Sequence, residues 1–208
     1  MIELINITKK FDNHMIFEDF SYCFEAGKSY GLIGRSGCGK TTLLNIIGKL
    51  ETADNGEVLI NKKALKDIKE QKFFRDDVGY LFQNYGLIDN ETIEQNLELA
   101  FVGKKMRKIE RREMMLKVLK KVNLEADLKR KIFSLSGGEA QRVAIAKIMI
   151  KNPPIILADE PTASLDEKNG QEVIQLILNL KDEEKIIIIA THTPLVWEAL
   201  DTLVELGE

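Results

Sequence analysis

The sequence has few of the features that mark secreted or membrane-spanning proteins. Its 208 residues include two cysteines, Cys23 and Cys38, which are too few for a disulfide framework. No apolar run approaches the roughly 20 residues that cross a bilayer as a helix. Residues 1–6, MIELIN, lack the basic region and the apolar core of a signal peptide. These absences predict a protein of the cytoplasm.

The sequence also lacks an excess of charge of either sign. Lysine and arginine together number 30 and aspartate and glutamate 33, which gives a net charge of -3. This balance argues against a dominant basic surface, so we expect no nucleic acid partner. Hydrophobic residues make up 44% and charged residues 30% of the chain, as is ordinary for a globular domain. The length is sufficient for one core with a smaller lobe.

A glycine-rich segment at residues 34–42 lies between an apolar strand pattern and a helical pattern. Its sequence, GRSGCGKTT, fits the pattern G-x-x-x-x-G-K-[ST], whose glycines let the backbone wrap closely around phosphates. The Lys40 ammonium can reach the β- and γ-phosphates, and the Thr41 hydroxyl can bind Mg²⁺. A chance glycine-rich turn is the alternative, and the strand before and the helix after disfavour it. We expect a nucleoside triphosphate to contact Gly34, Arg35, Ser36, Gly37, Cys38, Gly39, Lys40, Thr41 and Thr42.

Two adjacent acids, Asp159 and Glu160, follow the apolar run at residues 155–158. Such a run is typical of a buried parallel strand, and ligands of α/β proteins bind at the carboxyl ends of these strands. Asp159 suits a role at Mg²⁺, and Glu160 can orient or deprotonate an attacking water. An ordinary acidic turn is the competing interpretation, which the glycine-rich segment upstream makes the weaker one.

The segment LSGGEAQR at residues 135–142, here called the signature segment, predicts the start of a helix. Ser136 and Glu139 have the spacing of a capping box, which does not require the two poor helix formers between them, Gly137 and Gly138. The glycines therefore indicate close approach of the backbone to a ligand, and a helix N-terminus is a second anion site. We predict a dimer in which Ser136 and Gly138 of one chain close over the γ-phosphate held by the other.

Strand and helix patterns alternate over the rest of the chain. Apolar runs at residues 155–158 and 186–190 predict parallel strands, joined by a helix at residues 170–180. Residues 92–151 are helical and strongly charged, and Leu116, Leu119 and Val122 have amphipathic spacing. This pattern predicts an α/β core interrupted by a helical lobe.

The order of these motifs resembles the nucleotide-binding subunits of ATP-binding cassette (ABC) transporters over essentially the whole chain. The glycine-rich segment is similar to the family's P-loop, and Asp159 with Glu160 to its second nucleotide motif and catalytic glutamate. The resemblance implies a P-loop NTPase core with a mostly parallel sheet, an N-terminal antiparallel β subdomain and an inserted α-helical subdomain. We expect one domain at residues 1–208, with the core at about 1–85 and 152–208 and the helical subdomain at about 86–151.

The resemblance also implies roles for residues outside these motifs. Gln83 stands at the Q-loop position, which touches Mg²⁺ and faces the membrane partner, and His192 stands at the switch position that contacts the γ-phosphate. Asp166 ends the D-loop, and Phe11 stands where the family stacks an aromatic ring on adenine. The implied catalytic residues are Lys40, Gln83, Glu160 and His192. The implied metal ligands are Thr41, Gln83 and Asp159, and the nucleotide contacts beyond the P-loop are Phe11, Ser136, Gly137, Gly138 and Asp166.

The implied function is an ATP-binding and ATP-hydrolysing subunit that uses ATP and Mg²⁺ to power an ABC transporter. Residues 78–85, VGYLFQNY, and the short helical lobe look closest to the lipoprotein-release, macrolide-export and bacteriocin-export branch, so we expect an exporter. The implied partners are a transmembrane permease and a second copy of the chain, which places the protein at the inner face of the cell membrane. One alternative is an ABC ATPase that acts on a membrane partner without moving a solute, as in cell division.

Three residues depart from the family's usual pattern. Phe11 replaces a commoner tyrosine, Ala140 a glutamine and Thr193 an aspartate. A nucleotide-binding module without turnover is disfavoured because none of these changes removes a catalytic group and both Glu160 and His192 are present. We therefore expect an active ATPase.

Overall fold

The computed structural model describes residues 1–12 and 14–207, which form two sheets and seven helices. The strands are β1 (Ile2–Phe11), β2 (His14–Phe24), β3 (Lys28–Ile33), β4 (Asn55–Ile60), β5 (Lys63–Ala64), β6 (Val78–Leu81), β7 (Ile155–Asp159), β8 (Ile186–Ala190) and β9 (Thr202–Glu205). The helices are α1 (Lys40–Ile47), α2 (Glu70–Lys72), α3 (Ile93–Glu98), α4 (Lys108–Lys121), α5 (Gly137–Lys151), α6 (Glu167–Leu178) and α7 (Pro194–Trp197). Among these described residues, no helix has the length and apolar character needed to cross a membrane.

The larger sheet has the strand order β6-β7-β8-β3-β9, and all its neighbouring strands are parallel. Every residue of β7 and β8 is buried, because both faces of a parallel sheet are covered by other elements. In this register Ala190 pairs with both Leu32 and Asp159. The carboxyl ends of β3, β7 and β8 therefore lie side by side, and the P-loop, Glu160 and His192 follow them directly.

The smaller sheet has the order β2-β1-β4-β5, and its strands are antiparallel. Its inner face and α1 share one hydrophobic core with the parallel sheet, in which Phe24, Leu43 and Ile188 are fully buried. Together the two sheets confirm the predicted fold class, including its N-terminal antiparallel part.

A second hydrophobic core lies on the other side of the parallel sheet. It joins side chains of α3, α4 and α5 to those of β7 and β8, with Ile93, Ile145 and Ile187 fully buried. Packing is therefore continuous between the helical segment and the sheet, and the subdomain limits at about 86–151 stay a prediction. In α4 the amphipathic spacing predicted that Leu116 packs with Leu119 and Val122. This prediction was wrong for Leu116, which is 50% exposed, whereas Leu119 is buried.

Candidate functional site

The P-loop joins β3 to α1 through glycines in left-handed backbone conformations. Gly34, Gly37 and Gly39 have φ values of 144°, 83° and 100°, a region in which residues with a Cβ are strained. A Cβ at Gly39 would also lie 2.5 Å from Ile16 Cγ2. Gly39 is the N-cap of α1, and no side chain caps this helix. The first N–H groups of α1 are thus left for an anion.

Lys40 is buried within the loop that it follows. Its Nζ donates to Gly34 O at 2.9 Å and Arg35 O at 3.1 Å, and Cys38 Sγ lies 3.9 Å away. The ammonium is therefore held at the centre of the loop, an arrangement that the sequence pattern did not predict. Among its neighbours in the sequence, the side chains of Arg35, Ser36 and Thr41 are exposed, and that of Thr42 is half-buried.

Thr41 and Asp159 meet beside the P-loop. Thr41 Oγ1 donates to Asp159 Oδ1 at 3.0 Å. Burial raises the pKa of the Asp159 carboxyl, although the hydrogen bond from Thr41 opposes this shift. Gln83 lines the same cavity of about 430 Å³ as Thr41 and Asp159. The structure therefore brings the three predicted metal ligands to one cavity.

This set of oxygen donors fits Mg²⁺. Hydroxyl, amide and carboxylate oxygens are hard ligands, and Mg²⁺ is usually bound through one or two carboxylates together with substrate phosphates. Within residues 1–12 and 14–207 no group of three or more His, Cys, Asp or Glu residues could hold a metal. These oxygen donors therefore fit a cation that is also bound by substrate phosphates. They do not form a metal site made of protein ligands alone.

Glu160 lies one residue beyond Asp159 and faces His192. His192 Nδ1 and Glu160 Oε1 are 2.8 Å apart. The second carboxylate oxygen, Oε2, is buried and has no hydrogen-bond partner among the described residues. The backbone at Glu160 is left-handed, with φ 45°, and its N–H donates to Ala190 O at 2.9 Å. A carboxylate with one oxygen bonded and one available is suited to hold a water molecule.

The signature segment begins α5 with the predicted capping box. Ser136 Oγ accepts from Glu139 N at 3.3 Å, and Glu139 Oε2 accepts from Ser136 N at 2.8 Å. A Cβ at Gly137 would lie 2.8 Å from Tyr85 Oη, whereas a Cβ at Gly138 would meet only Leu165 Cδ2 at 3.7 Å. The Tyr85 hydroxyl thus crowds Gly137, whereas no contact within one chain excludes a Cβ at Gly138.

Asp166 caps the N-terminus of α6. Its carboxylate accepts from Asn169 N at 3.1 Å and from Asn169 Nδ2 at 2.6 Å. These hydrogen bonds, the one from the side chain foremost, lower the pKa of Asp166. Asp166 and His192 line one cavity of about 340 Å³. The structure thus gives Asp166 a capping role, and its contact with nucleotide stays a prediction.

Phe11 ends β1 with 45% of its surface exposed. The ammonium of Lys9 lies 4.9 Å from the centroid of its ring. Sequence reasoning did not identify Lys9. The available signal was a lysine two residues before the predicted aromatic, and this spacing by itself does not indicate burial.

A family model described as "ABC transporter" matches residues 17–163. The uncharacterized ABC transporter ATP-binding protein MJ0796 of Methanocaldococcus jannaschii is 40% identical over 92% of this chain and 87% of its own length. A solved dimer of the MJ0796 cassette, described as a post-hydrolysis state bound to ADP and Pi, superposes with a TM-score of 0.89. That alignment has 35% identity and covers 100% of this chain and 94% of the MJ0796 chain.

Two further relatives differ in the transport that their names describe. The macrolide export ATP-binding/permease protein MacB of Campylobacter jejuni is 34% identical over 100% of this chain, which spans 33% of that protein. The methionine import ATP-binding protein MetN of Clostridium acetobutylicum is 36% identical over 92% of this chain and 61% of its own length. The macrolide exporter confirms similarity to the expected branch, while the importer shows that similarity alone leaves the direction of transport open.

Proposed function

Because this chain belongs to the ABC transporter family, as one of its ATP-binding ATPases, we propose that it powers solute export through a membrane permease. The observation that carries the proposal is the pair of contacts at adjacent strand ends, Thr41 with Asp159 and Glu160 with His192. The match to a macrolide export ATP-binding/permease protein supports the permease partner, and the outward direction rests on the sequence resemblance to the export branch and is tested separately below. A permease partner implies a position at the inner face of the membrane.

We propose that two chains close on two ATP molecules. The P-loop of one chain holds the phosphates, with the Lys40 ammonium against the β- and γ-phosphates. Across the interface, Ser136 and the N–H groups of Gly137 and Gly138 from the second chain contact the γ-phosphate. The free approach to Gly138 supports this arrangement, and so does the dimeric assembly of the MJ0796 cassette.

Hydrolysis then depends on Glu160. Its carboxylate positions water for in-line attack on the γ-phosphate, and His192 holds that carboxylate in place. Thr41, Asp159 and Gln83 would hold Mg²⁺, which when bound neutralises charge on the phosphates. Lys40, His192 and the backbone N–H groups stabilise the charge that develops in the transition state.

The test is Glu160→Gln, which keeps the size of the side chain and removes its charge. We expect ATP to bind normally, hydrolysis to fall about 10²- to 10⁴-fold, and an ATP-bound dimer to accumulate in size-exclusion chromatography. Glu18→Gln, at an exposed position of β2, is the matched control and should behave as the wild type. If Glu160→Gln stays monomeric at saturating ATP while the wild type turns over, the closed-dimer scheme fails.

The permease is tested separately by purifying the tagged chain from detergent-solubilised membranes of its host. Recovery of a membrane protein with several spans supports the transport assignment. ATP-driven movement of the recovered permease's solute in inverted vesicles then distinguishes export, which fills the vesicles, from import, which empties them.

A further inference from the structure

A buried lysine, Lys9, lies against the ring of Phe11, which the family resemblance implies as the stacking surface for adenine and which is here called the adenine platform. Lys9 has 7% of its surface exposed, whereas Phe11 has 45% exposed. The Lys9 ammonium is 4.9 Å from the Phe11 ring centroid, within the range of a cation–π contact. The ring is therefore held from one side by a cation while much of its surface stays open.

Three oxygen atoms fix the position of the Lys9 ammonium. It donates to Glu51 Oε1 at 2.8 Å and Thr52 O at 2.9 Å, and it lies 3.6 Å from Asp54 Oδ1. The hydrogen bond to Glu51 raises the pKa of Lys9 and outweighs the opposing effect of burial. Lys9 thus stays charged, and its ammonium has little freedom to leave the ring.

These anchors connect Lys9 to the P-loop helix. Glu51, Thr52 and Asp54 belong to the segment that follows α1, and the N–H groups of Leu50 and Glu51 donate to Asn45 O at 2.8 Å and 3.1 Å. Asn45 lies in α1, whose N-terminus forms the end of the P-loop. A continuous set of bonds therefore joins the Phe11 ring to the helix that holds the phosphates.

We infer that Lys9 is a positioning residue for nucleotide binding, which holds the Phe11 ring so that its open face stacks on the purine of ATP. The inference rests on the proposed ATPase function together with the role that the family resemblance implies for Phe11, stacking on adenine. A cation on one face also withdraws electron density from the ring, which favours stacking of an electron-rich purine on the other face. The role requires the positive charge of Lys9 and acts on the base alone, since the triphosphate is bound elsewhere.

The experiment measures dissociation constants for Mg–ATP and for inorganic tripolyphosphate, which has the phosphates but no base. Lys9→Met keeps the apolar stem and removes the charge, and we expect it to weaken ATP binding about two- to fivefold. Lys9→Arg keeps a cation that stacks on aromatic rings, so it should restore most of the affinity. Lys10→Met removes the same charge from the exposed neighbouring position and should change neither constant. Tripolyphosphate affinity should stay constant in all three variants.

A double-mutant cycle with Phe11→Ala separates this inference from the proposed function. Lys9→Met should add no further loss in the Phe11→Ala background, because Lys9 acts through the ring. If Phe11→Ala alone leaves ATP affinity unchanged, both the adenine platform and the role of Lys9 are overturned. If Phe11→Ala weakens ATP binding and Lys9→Met does not, only the role of Lys9 is overturned. An equal loss of tripolyphosphate affinity in Lys9→Met would also overturn it, since that result indicates a general structural role.

Discussion

Two helices of this protein begin with glycine-rich segments, and their N-termini are completed in different ways. No side chain caps α1, whose N-cap is Gly39. In α5 the Ser136 and Glu139 side chains close a capping box, and Arg130 Nη1 also donates to Glu139 at 2.9 Å. The first N–H groups of α1 therefore have no side-chain partner, and the proposed function assigns them to the phosphates bound by the same chain. The capped helix is stabilised before any ligand arrives, and its first N–H groups, of Gly137 and Gly138, stay available for a second chain.

The glycines at the two helix starts also serve different purposes. Gly39 is required by the fold, because it is left-handed and a Cβ would crowd Ile16 and Phe17. Gly138 has ordinary space for a Cβ. Gly39 thus has a structural reason within one chain, whereas Gly138 has a reason only in the proposed dimer. Three substitutions test this difference.

The largest effect is expected for Gly39→Ala. Its Cβ would lie 2.5 Å from Ile16 Cγ2 and 2.7 Å from Phe17 Cζ, and the backbone would stay strained. Crowding and strain together should lower the free energy of unfolding by about 2–5 kcal/mol. ATPase activity should fall at least about a hundredfold. Urea denaturation and steady-state turnover measure the two effects.

Gly37→Ala is the matched control for this prediction. Gly37 is also left-handed, with φ 83°, but a Cβ there has no atom within 4 Å. The control should lose only the strain contribution, about 1 kcal/mol. Equal destabilisation by both substitutions would show that crowding at Gly39 is unimportant.

An intermediate effect, confined to the dimer, is expected for Gly138→Ala. Alanine is the better helix former, and its Cβ fits, so the monomer should be equally stable or up to about 1 kcal/mol more stable. ATP binding to the monomer should be unchanged, while ATP-dependent dimers and turnover should decline at least about tenfold. Analytical ultracentrifugation of the variant combined with Glu160→Gln measures the dimer. Normal dimer formation would contradict the assignment of Gly138 to a second chain.

The smallest effect is expected for Ser136→Ala. Loss of the cap should lower the free energy of unfolding by about 1 kcal/mol. Thr92→Ala removes the equivalent capping box from α3 and should cost a similar amount of stability. Ser136→Ala should also lower turnover about fivefold through the lost hydroxyl contact with phosphate, whereas Thr92→Ala should not. Identical turnover in the two variants would show that Ser136 acts only as a helix cap.

The sequence predicted those parts of the molecule that follow from local rules. The P-loop, the capping box at Ser136 and the buried strands at 155–158 and 186–190 depend on residues close together in the chain, and the structure contains each of them. Asp159 and Glu160 directly follow an apolar run, so the sequence predicts them at the end of a buried strand, and β7 ends at Asp159.

The remaining features depend on contacts between distant residues. The Lys9 network joins β1 to a segment more than 40 positions away, and no local pattern encodes that approach. The Lys40 side chain turns inward to donate to Gly34 O, and no local pattern predicts that direction. The left-handed Glu160 is held by a hydrogen bond from its N–H to Ala190 O, a residue 30 positions away. The exposure of Leu116 was missed because spacing alone does not say which face of α4 meets the core.

The left-handed backbone at Glu160 lowers the stability of the fold, a cost that the proposed catalytic role of Glu160 explains. A residue with a Cβ at φ 45° costs about 1–3 kcal/mol, which the surrounding structure must supply. Glycine would relieve that strain, yet it would remove the carboxylate that faces His192. If Glu160 is the catalytic carboxylate, as we propose, selection for a more stable fold and selection for faster hydrolysis favour different residues at this position. On that proposal, the strained backbone at Glu160 is kept because glycine, the residue that fits it best, has no carboxylate.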